Sequence, residues 1–309
     1  MRSKRILVVL GGTSEERAIS LNSGNECIKA MKKIGYKVSI FDPKKNLYKS
    51  IDRKKVDLIF NALHGKDGED GVAQSYFECL KIPYTHSGVI SSFNAMNKVI
   101  SKKIFIKHKI KTPNYFVFSK NNFNKIGLLK SIVKNKFTFP VVTKPISEGS
   151  SIGVKICKNF KDLFKSSNIL FKKYSDLIFE PYVGGKEIQV AVINGSPIGA
   201  IELKPKRQFY DYKAKYSRSA NTQHIMPASL NKSEYRKVLQ IAKKAHKALC
   251  CDGVTRSDFK FYKGKFYLLE INTQPGMTSL SLVPEIALYK GISFQALIKK
   301  IVLNAKLNK

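Results

Sequence analysis

Near the C-terminal end of the chain, two apolar runs carry polar side chains at alternate positions. These polar side chains are Arg256, Asp258, Glu270 and Asn272. The two runs flank Lys263-Gly264, a pattern that predicts a β-hairpin. Because side chains alternate between the two faces of a strand, all four are expected to share one face. That face would present two carboxylates, one amide oxygen and one guanidinium.

The length of the hairpin loop decides whether the two strands match in this way. A three-residue loop that ends at Gly264 in the left-handed conformation fits, since glycine takes a positive φ without steric cost. The apolar side chains then lie on the opposite face, and they are Phe259, Phe261, Tyr267, Leu269 and Ile271. A two-residue loop would put Asp258 and Glu270 on opposite faces and remove the site.

The polar face of this hairpin predicts a Mg²⁺ site. Mg²⁺ favours one or two carboxylates together with substrate phosphates. A guanidinium beside the metal, here Arg256, could stabilise a phosphate or a developing oxyanion. The alternative is a surface strand pair that carries a salt bridge. The Glu-x-Asn pattern on the second strand leads directly into Pro275-Gly276, and this favours the metal site.

The N-terminal segment has the pattern of a parallel α/β unit. An apolar strand at residues 5–10 is followed by a glycine-rich turn and an amphipathic helix that ends near Gly35. The G-x-G-x-x-G pattern is absent, so a dinucleotide site has little support. At the helix start, Glu15 or Glu16 could simply complement the helix dipole. A later strand ends in the loop 64–71, whose His64 alone is more often a structural histidine than a catalyst.

A second loop, residues 148–154, is rich in glycine and serine and lies between two predicted strands. Such a loop can close over phosphates with its N–H groups and hydroxyls, although it lacks the Walker pattern and could be an ordinary β-turn. Lys144 on the preceding strand would add positive charge at the phosphates. A predicted helix contains Lys98, and a later strand and turn carry Glu180 and Glu187.

Two further segments could contact a substrate. Residues 208–224 are polar and aromatic with little apolar periodicity, which predicts a mobile loop that closes an active site, or else a surface Ω-loop. Ser281 and Leu282 begin a helical segment, and the free N–H groups of a helix start can bind a carboxylate or a phosphate. The alternative for Ser281 is a plain N-cap.

Length and composition indicate a multidomain globular protein. A chain of 309 residues predicts two or three domains, and 43% hydrophobic with 11% aromatic residues is typical of globular proteins. We expect no membrane span, because no apolar run is long enough, and the basic N-terminus leads into a strand instead of a signal peptide. The five cysteines show no metal-ligand spacing and are expected to be reduced core residues of a cytosolic protein.

The formal net charge of +34 could indicate a nucleic-acid or membrane partner. However, most of the 56 basic residues are lysines spread along the whole chain, with no dense basic arm and no RNA-binding motif. We therefore interpret the charge chiefly as a solvated surface that favours anionic substrates such as nucleotides.

From residue 5 to residue 301 the chain resembles the D-alanine–D-alanine ligases of the ATP-grasp superfamily. The motifs that carry the resemblance are GGTSEERAISLNSG at 11–24, HGKDGEDG at 64–71, KPISEGSSIGV at 144–154, FYDYKAKY at 209–216, RSDF at 256–259 and LLEINTQPGMTSLSLVP at 268–284. The resemblance implies a mixed α/β fold of three domains. They are a Rossmann-like parallel-sheet domain at 1–95, a central ATP-grasp domain at 96–180 and a C-terminal ATP-grasp domain at 181–309, the last two enclosing ATP.

The family joins two D-alanines in two steps. The carboxylate of the first D-alanine attacks the γ-phosphate of ATP, and the amine of the second attacks the resulting acylphosphate. The residues that match the family's catalytic and substrate groups are Glu16, Ser150, Tyr216, Arg256 and Ser281, with His64, Lys215, Gly276 and Leu282. Glu16 matches the residue that holds the first ammonium. Tyr216 favours an amine nucleophile, because relatives that make D-alanine–D-lactate depart from the Lys-Tyr pattern.

The same resemblance implies a nucleotide site and a metal site. The residues that match the ATP contacts are Lys98, Lys144, Ser151, Glu180 and Glu187, and those that match the metal ligands are Asp258, Glu270 and Asn272. The resemblance implies two Mg²⁺ ions, for which Mn²⁺ can substitute, and these ions would neutralise the charge of the ATP phosphates. The family further implies peptidoglycan precursor synthesis, a cytoplasmic location, a homodimer, and neither a nucleic-acid nor a membrane partner. The alternatives are another ATP-grasp ligase, a D-alanine–D-lactate ligase, or a basic nucleic-acid-binding protein.

Overall fold

The computed structural model describes residues 4–46, 48–205, 222–278 and 281–307. The first unit of the fold is a small parallel sheet with three helices. The strands are β1 (Arg5–Val9), β2 (Lys37–Phe41) and β3 (Leu58–Asn61), in the order β2-β1-β3. The helices are α1 (Arg17–Ile34), α2 (Val72–Cys79) and α3 (Val89–Met96). The central strand β1 is apolar and buried from Ile6 to Val9 because elements cover both of its faces. Helix α1 ends at Gly35, as predicted, with a φ of 95°.

The second unit is an antiparallel sheet in the order β4-β7-β5-β6. Its strands are β4 (Phe116–Ser119), β5 (Val141–Pro145), β6 (Lys155–Cys157) and β7 (Asp176–Pro181), and its helices are α4 (Lys98–Lys107), α5 (Lys125–Lys134) and α6 (Phe160–Leu170). A cluster of phenylalanines fills its core, and the Phe116 and Phe179 rings stack at 5.0 Å. Helix α4 contributes Phe105 to the core of the next sheet, so it joins two units.

The third unit is a five-stranded antiparallel sheet in the order β10-β9-β8-β11-β12. Its strands are β8 (Lys186–Ile193), β9 (Ser196–Lys204), β10 (Gln223–Ile225), β11 (Val254–Tyr262) and β12 (Lys265–Asn272), and its helices are α7 (Lys232–Ala248), α8 (Leu282–Tyr289) and α9 (Phe294–Leu303). The predicted mobile loop at 208–224 lies outside the described residues except for its last three.

The predicted mixed α/β architecture is confirmed, with one parallel sheet and two antiparallel sheets. The largest core among the described residues is shared between the first and third units, because α8 packs on β8 and β9 of the third sheet while α9 packs on α1 of the first unit. For example, Met31 of α1 and Ile301 of α9 belong to the same buried cluster. The C-terminal end of the chain therefore returns to the N-terminal sheet, and the predicted domain boundaries remain a prediction.

The hairpin loop differs from the prediction. Tyr262 pairs with Lys265, so only Lys263 and Gly264 form the turn, and both have positive φ angles of 47° and 70°. Positive φ at both central residues is the geometry of a type I′ turn, whose twist matches that of the flanking strands. The expected three-residue loop is therefore wrong.

The shared polar face is nevertheless present, because a β-bulge restores the match that the short loop would have removed. Phe259 pairs with Leu268 whereas Asp258 pairs with Glu270, which leaves Leu269 as the extra residue. As a result, the residues of β12 that face the core have even numbers before the bulge, at Phe266 and Leu268, and an odd number after it, at Ile271. Leu268 lies in the core in place of the expected Leu269, and Ile271 lies there as predicted.

No helix within the described part of the chain is long and apolar enough to cross a bilayer. All five cysteines are free thiols, as expected for reduced residues. Cys27 and Cys157 are buried, and burial raises the pKa of both thiols. Cys79 and Cys250 are exposed, so the expectation of a core position is wrong for these two.

Candidate active site

A cavity lies between the second and third sheets, and its empty volume is about 810 Å³ when the open mouth that faces solvent is included. The five predicted ATP contacts, Lys98, Lys144, Ser151, Glu180 and Glu187, all line it. Apolar side chains complete the wall, and they are Pro113, Val142, Pro145, Ile152, Val154, Pro181, Tyr182, Val183 and Leu269. A wall that combines apolar side chains with charged groups suits a nucleotide, whose base is flat and whose phosphates are anionic.

The charged side of this cavity centres on Glu180, which is 3% exposed. Its two carboxylate oxygens lie 3.0 Å from Lys102 Nζ and 3.0 Å from Lys144 Nζ. Burial alone would raise the pKa of Glu180, but the two lysines outweigh burial and hold this pKa below its ordinary value. Glu180 is therefore an ionised carboxylate that fixes the position of Lys144.

Lys102 was not among the predicted site residues. Its ammonium is fully buried and also donates to Thr112 Oγ1 at 2.7 Å and to the Pro113 carbonyl at 3.1 Å. Burial lowers the pKa of Lys102 to about 8, against the opposing effect of Glu180. A sequence signal existed, because Lys102 lies four residues after Lys98 and three before buried Phe105, on one face of α4.

Lys260 was also missed, and it lies beside the predicted Glu187. Lys260 Nζ is 3.0 Å from Glu187 Oε2, and both side chains line the large cavity. Their partnership follows from the register, since Lys260 of β11 lies directly opposite Glu187 of β8. This pair forms a polar end of the cavity that is separate from the lysines around Glu180.

A second cavity of about 470 Å³ adjoins the first, and Lys98, Glu148 and Glu270 line both. The remaining lining residues of the second cavity are Glu69, Ala95, Met96, Gly149, Ser150, Arg256, Ile271, Asn272 and Thr273. The predicted catalytic residues Ser150 and Arg256 therefore meet here. A ligand in the large cavity and one in the small cavity would lie on either side of Glu270.

Glu16 and Ser150 come together from the first and second units. Ser150 Oγ donates a hydrogen bond to Glu16 Oε1, and Glu16 is 4% exposed. Ser150 and Ser151 have φ angles of 47° and 61°, so the loop turns back on itself at these residues. A Cβ at Gly149 would lie 2.7 Å from Glu16 Oε2, which explains why this position holds a glycine. Next to Glu16, Glu15 forms an exposed ion pair with Lys173 that also joins the two units.

The predicted metal face of the hairpin is assembled as expected. Asp258 lies opposite Glu270, and Arg256 lies opposite Asn272. Arg256 Nε donates to Asp258 Oδ1 at 2.8 Å and to Gln189 Oε1 at 2.9 Å, and Lys98 Nζ is 3.4 Å from Glu270 Oε2. Two carboxylates and one amide oxygen on a shared wall are a donor set that fits Mg²⁺. Among the described residues no group of three His, Cys, Asp or Glu side chains could hold a metal.

The predicted carboxylate site lies at the start of α8. Ser281 Oγ accepts from the Thr278 N–H at 3.0 Å, and a Cβ at Gly276 would lie 3.0 Å from this same oxygen. Leu282 is the first residue of α8 and is buried. Gly276 and Ser281 are therefore close together, as the prediction requires. Lys215, which was predicted to act here, lies outside the described residues, as does Tyr216, which was predicted to act with Glu16 and Ser150.

His64 is buried and lies behind the wall of the small cavity. Its carbonyl accepts from Ser14 Oγ at 2.6 Å, and its Nδ1 is 3.9 Å from Glu69 Oε2. The sequence prediction named His64 and missed Glu69, although Glu69 lines the cavity and His64 is not among its lining residues.

The chain matches the two models of one protein family over most of its length. The family model "D-ala D-ala ligase C-terminus" matches residues 104–303, and "D-ala D-ala ligase N-terminus" matches residues 44–87. The chain is 55% identical to the D-alanine–D-alanine ligase of Pelagibacter ubique, covering 99% of this chain and 100% of the relative. It is 43% identical to that of Trichlorobacter lovleyi, covering 99% and 96%.

Two solved structures are similar over almost the whole chain. The crystal structure of D-alanine–D-alanine ligase from Bacillus anthracis complexed with ATP is 33% identical with a TM-score of 0.85, and it covers 98% of this chain and 97% of that one. A second crystal structure of the Bacillus anthracis ligase is 34% identical with a TM-score of 0.86 and the same coverage.

Proposed function

The chain belongs to the D-alanine–D-alanine ligase family, and we propose that the side chains of its two adjoining cavities carry out the family's reaction. The protein joins two D-alanines to D-alanyl-D-alanine with ATP as co-substrate, for the synthesis of peptidoglycan precursors. The observation that carries the site assignment is the wall that the two cavities share at Lys98, Glu148 and Glu270. This wall would bring a γ-phosphate next to a substrate carboxylate.

The large cavity would hold ATP. Lys98, Lys144 and Ser151 lie on one side of it and would contact the phosphates. Glu180 and Glu187 would bind the adenine and ribose end, since both offer acceptors for the amino and hydroxyl groups of a nucleoside. The ion pair between Glu180 and Lys144 would keep the ammonium of Lys144 in place before the nucleotide binds.

Asp258, Glu270 and Asn272 would hold two Mg²⁺ ions, with Mn²⁺ as a possible substitute. Bound Mg²⁺ would neutralise the charge of the phosphates during transfer. The residues themselves are held for this role by Arg256 and Lys98, whose positive charges balance the two carboxylates. Asp258 and Glu270 would therefore each have a positive charge beside them both before and after a metal binds.

Glu16 would bind the ammonium of the first D-alanine, with Ser150 holding the carboxylate of Glu16 in place. The carboxylate of this D-alanine would attack the γ-phosphorus of ATP, giving an acylphosphate and ADP. The amine of the second D-alanine would attack the acyl carbon, lose a proton and expel phosphate. Arg256 and the Gly276 N–H would stabilise the oxyanion of the tetrahedral intermediate, because preorganised donors act most strongly where charge develops.

Ser281 and the Leu282 N–H would bind the carboxylate of the second D-alanine at the start of α8, where the helix dipole favours an anion. Lys215 and Tyr216 would join this site, Lys215 at the carboxylate and Tyr216 in a hydrogen-bonded group with Ser150. His64 would lie at the edge of the substrate pocket. The dependence on an amine nucleophile separates this function from D-alanine–D-lactate synthesis.

We also propose a homodimer in the cytoplasm. An apolar patch on α2 and α3 supports the dimer, since Val72, Tyr76, Ile90 and Phe93 are between 43% and 64% exposed. Five free thiols and the use of ATP support the location. The domains would follow the three sheets, at 1–95, 96–180 and 181–309.

The test of the function is phosphate release from ATP and Mg²⁺ with D-alanine, L-alanine or D-lactate added. We expect release only with D-alanine, together with a dipeptide product. Arg256→Ala should lower kcat by about 10²–10³-fold, the usual effect of removing one oxyanion donor. Arg236→Ala is the matched control, because Arg236 lies exposed on α7, away from both cavities.

Near-normal turnover by Arg256→Ala would refute the oxyanion role. A depsipeptide formed from D-lactate in competition with D-alanine would favour the D-lactate alternative. Release with none of these substrates would leave an ATP-grasp ligase that acts on another pair of acids and amines.

A further inference from the structure

Lys260 is the last of three polar side chains in a row along β11, after Arg256 and Asp258. The three stand at alternate positions and so share one face of the strand. Arg256 lines the small cavity, whereas Asp258 and Lys260 line the large cavity. At about 3.3 Å per residue, Lys260 lies about 7 Å beyond Asp258 and about 13 Å from Arg256 along the strand. The row therefore leads from the proposed reacting centre, past a proposed metal ligand, to the far part of the nucleotide cavity.

The ammonium of Lys260 is held beside a carboxylate in this part of the cavity. Its Nζ donates to Glu187 Oε2 at 3.0 Å, and only 11% and 12% of the two side chains are exposed. Among the described residues, Glu187 is the one hydrogen-bond partner of this ammonium. An ammonium carries three N–H donors, so two donors are left for a ligand in the cavity that Lys260 lines.

A structural role alone does not account for this pair. The desolvation of two buried charges offsets much of their attraction, and apolar side chains of similar size often fill such a space without loss of stability. The neighbouring pair on the same two strands follows that pattern, since Phe259 lies opposite Ile188 and both are fully buried. A charged donor and acceptor buried at a cavity wall point instead to a ligand with matching polar groups.

A carboxylate and an ammonium side by side match a vicinal diol. Each hydroxyl can donate one hydrogen bond and accept another, so Glu187 would accept from one hydroxyl while Lys260 donates to the oxygen of the other. A phosphate would suit Lys260 but would be repelled by Glu187, whereas a second ammonium would be repelled by Lys260. Of the parts of a nucleotide, the ribose with its 2′- and 3′-hydroxyls therefore fits this pair best.

The position of the pair agrees with this choice. The proposed metal ligands Asp258 and Glu270 mark the phosphate end of the cavity, and the ribose of a nucleotide follows its phosphates. We propose that Lys260 is a specificity-determining residue that, together with Glu187, binds the ribose diol of ATP and selects ribose over deoxyribose. This inference rests on the proposed function, which places ATP in the large cavity.

The test measures KM and kcat for ATP, 2′-deoxy-ATP and 3′-deoxy-ATP at saturating D-alanine. For the wild-type protein, the KM of each deoxynucleotide should be about 10- to 100-fold above that of ATP, as for the loss of one hydrogen bond to a charged group. For Lys260→Met, this ratio should fall to within about twofold of one for the deoxynucleotide that lacks the hydroxyl bound by Lys260. The kcat values should stay within about twofold, because Lys260 lies far from the reacting centre.

The second deoxynucleotide separates recognition of the ribose from mere support of Glu187. Its KM ratio to ATP should persist in Lys260→Met, because Glu187 still accepts from the remaining hydroxyl. If Lys260 only held Glu187 in place, the ratios for all deoxynucleotides that the wild-type protein rejects would fall together.

Lys260→Gln is the second variant, since its amide can still donate to Glu187 and supports the site if Lys260→Met does not fold. Its neutral hydrogen bond is weaker, so the KM ratio for the same deoxynucleotide should fall at least about threefold. The control is Lys265→Met, at the exposed start of β12 and outside the cavity, which should keep the wild-type ratios.

The inference is overturned if either Lys260 variant keeps the wild-type ratios, or if the ratios for both deoxynucleotides fall together. It is equally overturned if the wild-type protein uses a deoxynucleotide as well as ATP. Failure of the proposed function would be seen separately, since the wild-type protein would then form no dipeptide from D-alanine and ATP.

Discussion

Replacing Lys102 by methionine would test whether the buried lysine behind the nucleotide cavity supports the carboxylate in front of it. Lys102 Nζ is 3.0 Å from Glu180 Oε1, and its side chain is fully buried. Breaking a buried ion pair by removing one partner costs about 3–5 kcal/mol. Because Glu180 keeps Lys144 at 3.0 Å, the loss in the free energy of unfolding should lie near the lower limit. We therefore expect Lys102→Met to be destabilised by about 3 kcal/mol.

The measurement is urea unfolding of wild type and variant. The shift in the midpoint urea concentration is converted into a change in the free energy of unfolding with the same m-value for both proteins. The control is Lys103→Met, the same substitution one residue along α4, where the side chain is exposed. A surface change of this kind is expected to stay within about 0.5 kcal/mol. Lys102→Met should also raise the KM for ATP. Glu180 would then pair with Lys144 alone, and the ammonium of Lys144 would interact more strongly with Glu180 and more weakly with the ATP phosphates. The KM for D-alanine should not change.

The double variant Lys102→Met with Glu180→Gln gives the sharper comparison. If Lys102→Met lowers the free energy of unfolding because the charge of Glu180 is left unbalanced, neutralising Glu180 in the same chain should restore at least about 1 kcal/mol of it. A coupling free energy of this size is typical of residues in contact. The reasoning would be refuted if Lys102→Met were as stable as Lys103→Met, or if the double variant lost the sum of the two single effects.

Two other predictions concern the glycine-rich turn and the loop that faces it. Asp42 has its pKa lowered to about 2, chiefly by the hydrogen bond from Arg17. An acid with a lowered folded pKa stabilises the fold above its unfolded pKa and loses this effect as pH falls through the folded one. Asp42→Asn should thus lower the free energy of unfolding by about 2 kcal/mol at pH 7. In denaturation curves, the difference in this free energy between wild type and variant should shrink between about pH 4 and pH 2. A difference that stays constant with pH would contradict the ion-pair explanation. Gly149→Ala should raise the KM of the first D-alanine more than tenfold, because the new Cβ would lie 2.7 Å from Glu16 Oε2 and displace this carboxylate. The melting temperature should stay unchanged. An unaltered KM would show that the ammonium binds elsewhere.

The sequence predicts the strands and helices well where apolar periodicity is strong. Strand β1 covers residues 5–9 of the predicted 5–10, and α1 ends at the predicted glycine. The hairpin shows where periodicity fails. A bulge moves the apolar face from even to odd positions, but Leu268 and Leu269 are the same residue type, so no pattern in the sequence marks which of them is extra. The polar face was predicted correctly although the loop was not, because the bulge compensates for the missing loop residue.

Two of the charged residues that the sequence prediction missed share one property. Lys102 and Glu69 are buried, yet in a chain with 56 basic and 22 acidic residues each looks like one more surface charge. Burial of a charge depends on contacts between distant segments, as with Lys102 of α4 and Glu180 of β7. Residue type alone does not carry this information, and only the helical spacing of Lys102 from Lys98 gave a signal.

The high net charge of the chain is not concentrated at the nucleotide cavity. Each cation that lines one of the two cavities has a carboxylate beside it, namely Lys98 with Glu270, Lys144 with Glu180, Lys260 with Glu187 and, in the small cavity, Arg256 with Asp258. A metal-bound nucleotide would replace these internal partners, bringing phosphates to the lysines and cations to the carboxylates. Removing one side chain therefore both loses a contact and releases its former partner, and such paired effects are not additive. Double variants, in which both members of a pair are neutralised, are thus the informative experiments for this site.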